Sequence, residues 1–438
     1  MLSRRMFVLG LAATGGLATV VAPSFAQGRS PAAATAITQV FGNGLRFVAV
    51  AIAYPEAIRS DDLSVDTFEV AGRTVVDVYA ATSPDPAHRT ELGKYVIVSL
   101  SPEDDGASLA VEAPQQGQKP TGRGGPGKAG ESSVADTAWV KPEGSVVLPA
   151  IATVDGTEMA AAEIGTTAVH DLIVDDFQQL EYVDPHTGDR LGYNLYVPRD
   201  YDPEKTYPLV NFMHDAGATS AETRTTLLQG LGAISWASPA DQAVRPCFVL
   251  APQYAEIIAD DDSNTSSMLD TTINLITSLT EKYNIDKGRI YTTGQSGGGM
   301  MSIAMNIKYP DFFAASFLVA CQWDPALVAP MAKNRLFILV SQDDGKAFPG
   351  QNAITQALEA DGAQVARAVW DGRWTDDQFR FAFDDLNAEG ARINYVTFAA
   401  GTVIPEGEST AGASGHRNTW RLAYSIEPIR EWLLLEGS

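Results

Sequence analysis

The chain has 438 residues, with 54 Asp and Glu against 31 Lys and Arg, for a formal net charge of -23. A surface this acidic repels phosphate backbones and anionic lipid, so neither nucleic acid nor a membrane is an expected partner. The length implies two or three domains, each large enough to bury a core.

Residues 1–26 have the layout of an export signal. Ser3-Arg4-Arg5-Met6-Phe7-Val8-Leu9 resembles the twin-arginine consensus, an apolar stretch runs to Ala22, and Ser24-Phe25-Ala26 is a small-x-small cleavage site. Cleavage would start the mature chain at Gln27 and take its formal charge to -25, since Arg4 and Arg5 leave with no acid. The expected location is secreted or periplasmic. The signal has no Cys for a lipid anchor, and no later run reaches the roughly eighteen apolar residues of a membrane span.

Residues 27–35 read as a small, Ala-rich linker. From there to 175 the pattern is of short strands, Leu45 to Ala53, Thr67 to Val70, Thr74 to Ala80, Tyr95 to Leu100, Ser108 to Glu112 and Ser145 to Leu148, with no long helix among them. Such spacing implies an all-β sandwich over 36–175. Within it, residues 115–133 are rich in Gly, Gln, Lys and Pro, offer nothing to bury, and are expected to form a disordered loop.

After Phe177 the rhythm changes. Short apolar runs, Leu191 to Val197, Leu209 to Met213, Phe248 to Ala251, Arg289 to Thr292, Ser316 to Ala320, Leu336 to Val340 and Ile393 to Phe398, have the character of strands buried on both faces of a parallel sheet. Helical patterns separate them, at Leu269 to Tyr283, Ser302 to Lys308 and Ala353 to Ala360, and a last one runs from Pro428 to Leu435. Residues 176–438 are therefore expected to form a doubly wound, mostly parallel α/β domain with ligands at the carboxyl ends of its strands. In that topology Cys247 and Cys321 fall at opposite ends of the sheet, beyond the ~7 Å reach of a disulfide, and both are expected free and buried.

The most specific motif is Gly294-Gln295-Ser296-Gly297-Gly298, entered from the strand Arg289 to Thr292 and left by a helix. A Gly-x-Ser-x-Gly at a strand-to-helix reversal is the nucleophile elbow of an α/β-hydrolase, and it makes Ser296 the candidate nucleophile. The triad order in that fold is Ser, then acid, then His. Of five histidines only His416 follows Ser296, within the Gly- and Ser-rich loop Glu408 to Asn418, which makes it the candidate base. The acid should lie just beyond the strand Leu336 to Val340, at Asp343 or Asp344; Asp344 is preferred because the turn needs several residues past the strand. Oxyanion donors are expected at the backbone N–H of Gly297 and, in the loop after Leu209 to Met213, of Ala216. His214 in that loop is expected to hold it by hydrogen bonds.

Residues 177–438 resemble the esterase and predicted-peptidase branch of the α/β-hydrolases, related to the prolyl oligopeptidase and feruloyl esterase groups. The resemblance rests on residues Tyr207 to Gly217, Phe248 to Gln253, the elbow, and His416 with Trp420 ahead of Trp432. Where the family usually has Gly this chain has Asp215. Several members carry an N-terminal immunoglobulin-like domain, which residues 36–175 resemble in size and strand pattern.

The remaining signals are weaker. Asp260 to Asn264 lacks the spacing of a calcium loop and reads as a solvated turn. Gln295 and Trp323, near strand ends, are candidate cleft residues, with core packing the alternative for Trp323. Trp370 to Phe383 reads as an extra strand and helix. These features together predict an exported serine ester hydrolase, with no cofactor or metal and a small-molecule or polymeric ester as substrate. The alternatives are a serine peptidase of prolyl oligopeptidase type and a non-catalytic cell-surface binding protein. Oligomeric state, a homo-oligomer included, is left open.

Overall fold

A computed structural model describes residue 31 and residues 33–113, 127–411 and 413–435. The export signal expected at 1–26 lies outside them. Small and β-branched residues begin the N-terminal domain earlier than composition suggests. Ala33–Phe41 is a strand paired antiparallel with Gly44–Arg59, with Ala34 and Ala36 buried at its face. The expected linker 27–35 therefore ends in sheet. Ala residues carry weak strand preference, so this strand forms because its neighbours bury it.

Among the described residues the sandwich has two larger sheets and two two-stranded ribbons, Ala110–Glu112 with Thr137–Trp139 and Ile151–Ala152 with Glu158–Met159. One larger sheet runs Ala168–Asp171, Ala33–Phe41, Gly44–Arg59, Leu92–Leu100, Val75–Ala81; the other runs Ala162–Gly165, Ser145–Leu148, Glu69–Val70. Val50, Ile52, Val96 and Val98 from the first and Val146 and Leu148 from the second are fully buried in one core.

The second domain is a nine-stranded sheet. Its strands in chain order are β1 Gln178–Val183, β2 Arg190–Tyr196, β3 Tyr207–Met213, β4 Phe248–Gln253, β5 Ile285–Gln295, β6 Ala315–Val319, β7 Leu336–Ser341, β8 Val365–Trp370 and β9 Ile393–Phe398. The spatial order is β1-β2-β4-β3-β5-β6-β7-β9-β8; β1 and β2 are antiparallel to their neighbours and the rest are parallel. The central strands β3, β4, β6 and β7 are buried along their whole length, which explains their unbroken apolar character. Cys247 precedes β4 and Cys321 follows β6; both are free and buried, and burial pushes the Cys247 thiol up to about 12.

The two domains share apolar core. The helix Leu231–Ala237 lies against the strand Ala33–Phe41, and a Cβ on Gly42 would fall 2.2 Å from the Arg421 carbonyl oxygen, so backbone meets backbone there. Arg224 bonds Asp171 at 2.5 Å and Asp175 at 3.2 Å across the boundary. The expected disordered loop 115–133 divides: residues 114–126 lie outside the described residues, whereas 127–133 dock on the second domain. Gly130 N–H donates to the Ile257 carbonyl at 2.8 Å, Ile257 N–H to Glu131 at 2.9 Å, and Ala129 N–H to the Asp260 carboxylate at 3.1 Å. Backbone groups make these bonds, so the polar composition of the segment does not oppose them.

A fragment beginning at Gln178 loses the strand that covers helix Leu231–Ala237 and exposes apolar surface. It should aggregate or melt roughly 10 °C or more below the full chain; a monodisperse fragment with the full chain's Tm, by calorimetry and light scattering, would contradict the shared core.

Candidate active site

β5 delivers Ser296 to the carboxyl edge of the sheet. Its backbone has φ 50° and ψ -118°, a region that non-glycine residues rarely adopt. Two glycines make the reversal possible. A Cβ on Gly294 would lie 2.4 Å from the Gly298 carbonyl carbon, and one on Gly298 would lie 2.0 Å from the Met213 carbonyl oxygen. The helix Gly297–Lys308 starts immediately after the serine and runs back beneath the sheet edge.

His416 stands in the first turn of helix Ser414–Ala423, whereas the sequence suggested a loop. Helix placement fixes its direction more firmly than a loop would. Gly415 makes the approach possible, because a Cβ there would meet the Asp343 Cβ at 2.5 Å. The ring of Trp420, one turn on, lies edge-on to the imidazole at 4.9 Å between centroids. His416 Nε2 is 2.9 Å from Ser296 Oγ, and His416 Nδ1 is 2.5 Å from Asp344 Oδ2.

Asp344 is 3 % exposed, and its other oxygen accepts the N–H groups of Lys346 and Ala347 at 3.1 and 2.9 Å. Burial raises its carboxyl; the His416 hydrogen bond and charge and the two backbone N–H groups more than offset this and hold it below the ordinary carboxylate value. Asp343 points away, its carboxylate accepting Gly401 N–H at 2.7 Å.

The turn after β3 is held by its own side chains. His214 Nε2 accepts Tyr254 N–H at 3.0 Å, so its proton sits on Nδ1, which donates to the Asp215 carbonyl at 2.7 Å. Burial keeps this imidazole below its ordinary pKa, against the opposing pull of Asp215. The peptide is planar and trans, so fixing the Asp215 carbonyl turns the Ala216 N–H the opposite way. A Cβ on Gly297 would be 3.6 Å from Ala216 N, which places the turn and the helix start side by side. Such paired N–H groups can stabilise an oxyanion.

Two expected cleft residues are elsewhere. Gln295 is 2 % exposed, with its amide bonded to Asp215 at 2.9 Å instead of lining a cleft. Trp323 is buried in the core of the second domain, the packing alternative held for it. Asp260, read as part of a solvated turn, is buried and accepts the N–H groups of Asp262 and Asn264, both at 3.0 Å. The Asp215–Gln295 contact escaped sequence reading; the one signal was an acid at a position where the resembled family has Gly. A shallow crevice beside the site is walled by Trp139 and Asp136 of the sandwich and by Arg417 and Trp420 of the hydrolase domain.

Residues 33–160 match the esterase immunoglobulin-like N-terminal domain. The whole chain is similar to a thermostable esterase of known crystal structure, 28% identical, with 92% of this chain and 98% of that one covered and a TM-score of 0.75. A 47-residue stretch is 43% identical to a probable acetylxylan esterase A of Aspergillus flavus; it is 11% of this chain and spans 15% of that protein's length.

The depressed Asp344 pKa carries a pH signature. Since its value in the folded protein lies below that in the unfolded chain, its stabilising contribution is complete above about pH 4 and is lost as pH falls through the folded value. Asp344→Asn should therefore flatten the acid limb of a Tm-against-pH curve below about pH 4; an acid limb as steep as wild type would contradict it.

Proposed function

Starting from a chain that carries the esterase immunoglobulin-like N-terminal domain ahead of an α/β-hydrolase domain, and so has the architecture of an esterase, we propose that it is a serine carboxylic ester hydrolase working through Ser296, His416 and Asp344. The observation that carries this reading is the continuous bonding from Asp344 Oδ2 through both ring nitrogens of His416 to Ser296 Oγ. Ser296 Oγ attacks the ester carbonyl as His416 Nε2 takes its proton. Asp344 keeps the other ring nitrogen protonated and stabilises the imidazolium. The N–H groups of Ala216 and Gly297 bind the oxyanion. His416 returns the proton to the leaving alcohol, and water then reverses the sequence to release the acid and free Ser296.

Similarity along nearly the full length to a thermostable esterase supports ester over amide as substrate. The printed name of the Aspergillus flavus relative supports including acetylated xylan in a substrate panel. Export by the twin-arginine route, supported by Ser3 to Leu9, belongs to the same proposal.

p-Nitrophenyl acetate should be hydrolysed and alanine p-nitroanilide not detectably. Asp344→Asn should lower kcat on the ester by about 10³- to 10⁴-fold through the wrong imidazole tautomer, and Asp343→Asn far less. Steady-state kinetics giving the reverse ranking would move the acid by one residue; faster anilide turnover would make the enzyme a peptidase.

A further inference from the structure

An oxyanion hole built from two separate elements works only if those elements are held in register. Its donors, Ala216 N–H on the turn after β3 and Gly297 N–H at the start of the elbow helix, must keep their spacing to a fraction of an ångström if both are to meet one oxygen. The Gly297 side is fixed by the reversal itself. The Ala216 side sits on a single 3-10 turn, Ala216–Ala218, which has little rigidity of its own.

We propose that Asp215 and Gln295 form a positioning pair that locks this turn to the nucleophile elbow; the inference rests on the ester-hydrolase reading above. Asp215 uses both carboxylate oxygens. Oδ1 caps the turn by accepting Gly217 N–H at 2.8 Å, and Oδ2 accepts the Gln295 side-chain amide at 2.9 Å. Gln295 is the residue directly before Ser296, so one side chain spans from the oxyanion turn to the strand end that carries the nucleophile. The same amide lies 3.4 Å from the Gln229 Oε1, which steadies it from the far side. Glycine at position 215 offers no such link.

The sandwich domain reinforces the brace from outside. Asp136 N–H donates to the Gly217 carbonyl at 2.8 Å, so the middle of the turn is gripped by the neighbouring domain while Asp215 grips its start. Both Asp215 oxygens are thus engaged by N–H donors, one in the turn and one at the elbow. The role of Asp215 is positional: its carboxylate bonds Gly217 and Gln295 and makes no bond to Ser296 or His416.

The test is a double-mutant cycle of Asp215→Ala and Gln295→Ala on p-nitrophenyl acetate, with Ser296→Ala as the reference. Loss of alignment falls on the transition state alone, so each single change should lower kcat about 10- to 100-fold with KM moved less than about threefold. The double variant should be little worse than the poorer single one, because both remove the same contact. Asp215→Asn keeps an acceptor for Gly217 N–H and can pair with a flipped Gln295 amide, so it should recover most of the lost kcat. Losses that multiply in the double variant, an effect confined to KM, or a lowered Tm with unchanged kcat would overturn the proposal. If Asp215→Ala does not fold, Gln295→Met keeps the volume while deleting the amide, and an unchanged kcat there overturns it equally. Full turnover by Ser296→Ala would instead sink the underlying reading, whereas a dead Ser296→Ala beside a fully active Asp215→Ala would sink the brace alone.

Discussion

Everything at the candidate site depends on one contact, the close packing of Gly298 against the Met213 carbonyl oxygen. A single Cβ at position 298 would lie 2.0 Å from that oxygen. With no side chain there, the helix Gly297–Lys308 begins directly against the end of β3, and Ser296 is forced into its positive-φ conformation between strand and helix. Such a conformation costs on the order of 1–3 kcal/mol. Bonds on both sides offset it, Ser296 N–H donating to the Val319 carbonyl at 3.0 Å and Met300 N–H to the Ser296 carbonyl at 2.9 Å. Because β3 is also the strand that leads into the Asp215–Gly217 turn, the same contact brings Ser296 and the backbone N–H of Ala216, the candidate oxyanion donor, together. A parallel sheet with β3 beside β5 makes this possible; the glycine makes it close.

The remaining groups reach Ser296 from strand ends farther along the sheet. Asp344 follows β7, and His416 arrives on a helix that approaches the acid turn through the space left by Gly415. The sandwich domain takes part as well. It grips the Ala216–Ala218 turn through Asp136 on one side, and through residues 129–131 it holds the 257–260 segment on the other, next to which Asp261 pairs with Lys346, two residues beyond Asp344. The two domains are thus mechanically continuous around the site, by backbone bonds and shared apolar packing more than by exposed ion pairs, which contribute little.

Which parts were legible in the sequence follows from what each depends on. Central strands such as β6 and β7 are buried on both faces, so their apolar runs announce them. His416 is singled out by chain order, and the preference for Asp344 over Asp343 comes from the length a turn needs after a strand. Features that depend on distant partners left no such mark. Ala33 to Ala36, the start of the strand Ala33–Phe41, are small residues that become strand because Gly44–Arg59 and Ala168–Asp171 flank them. The segment 127–133 has the composition of a solvated loop, yet it docks through backbone groups that composition does not reveal. Gln295 reads in sequence as a cleft residue; that it meets Asp215 depends on the turn after the neighbouring strand β3, which nothing local to Gln295 reveals.

The most direct measurement is peptide-level mass spectrometry of the folded protein after reaction with a fluorophosphonate. The account predicts a single phosphonyl adduct, on the peptide containing Ser296, appearing in step with the loss of ester hydrolysis. An adduct on a different residue, or inactivation without any adduct at Ser296, would contradict it.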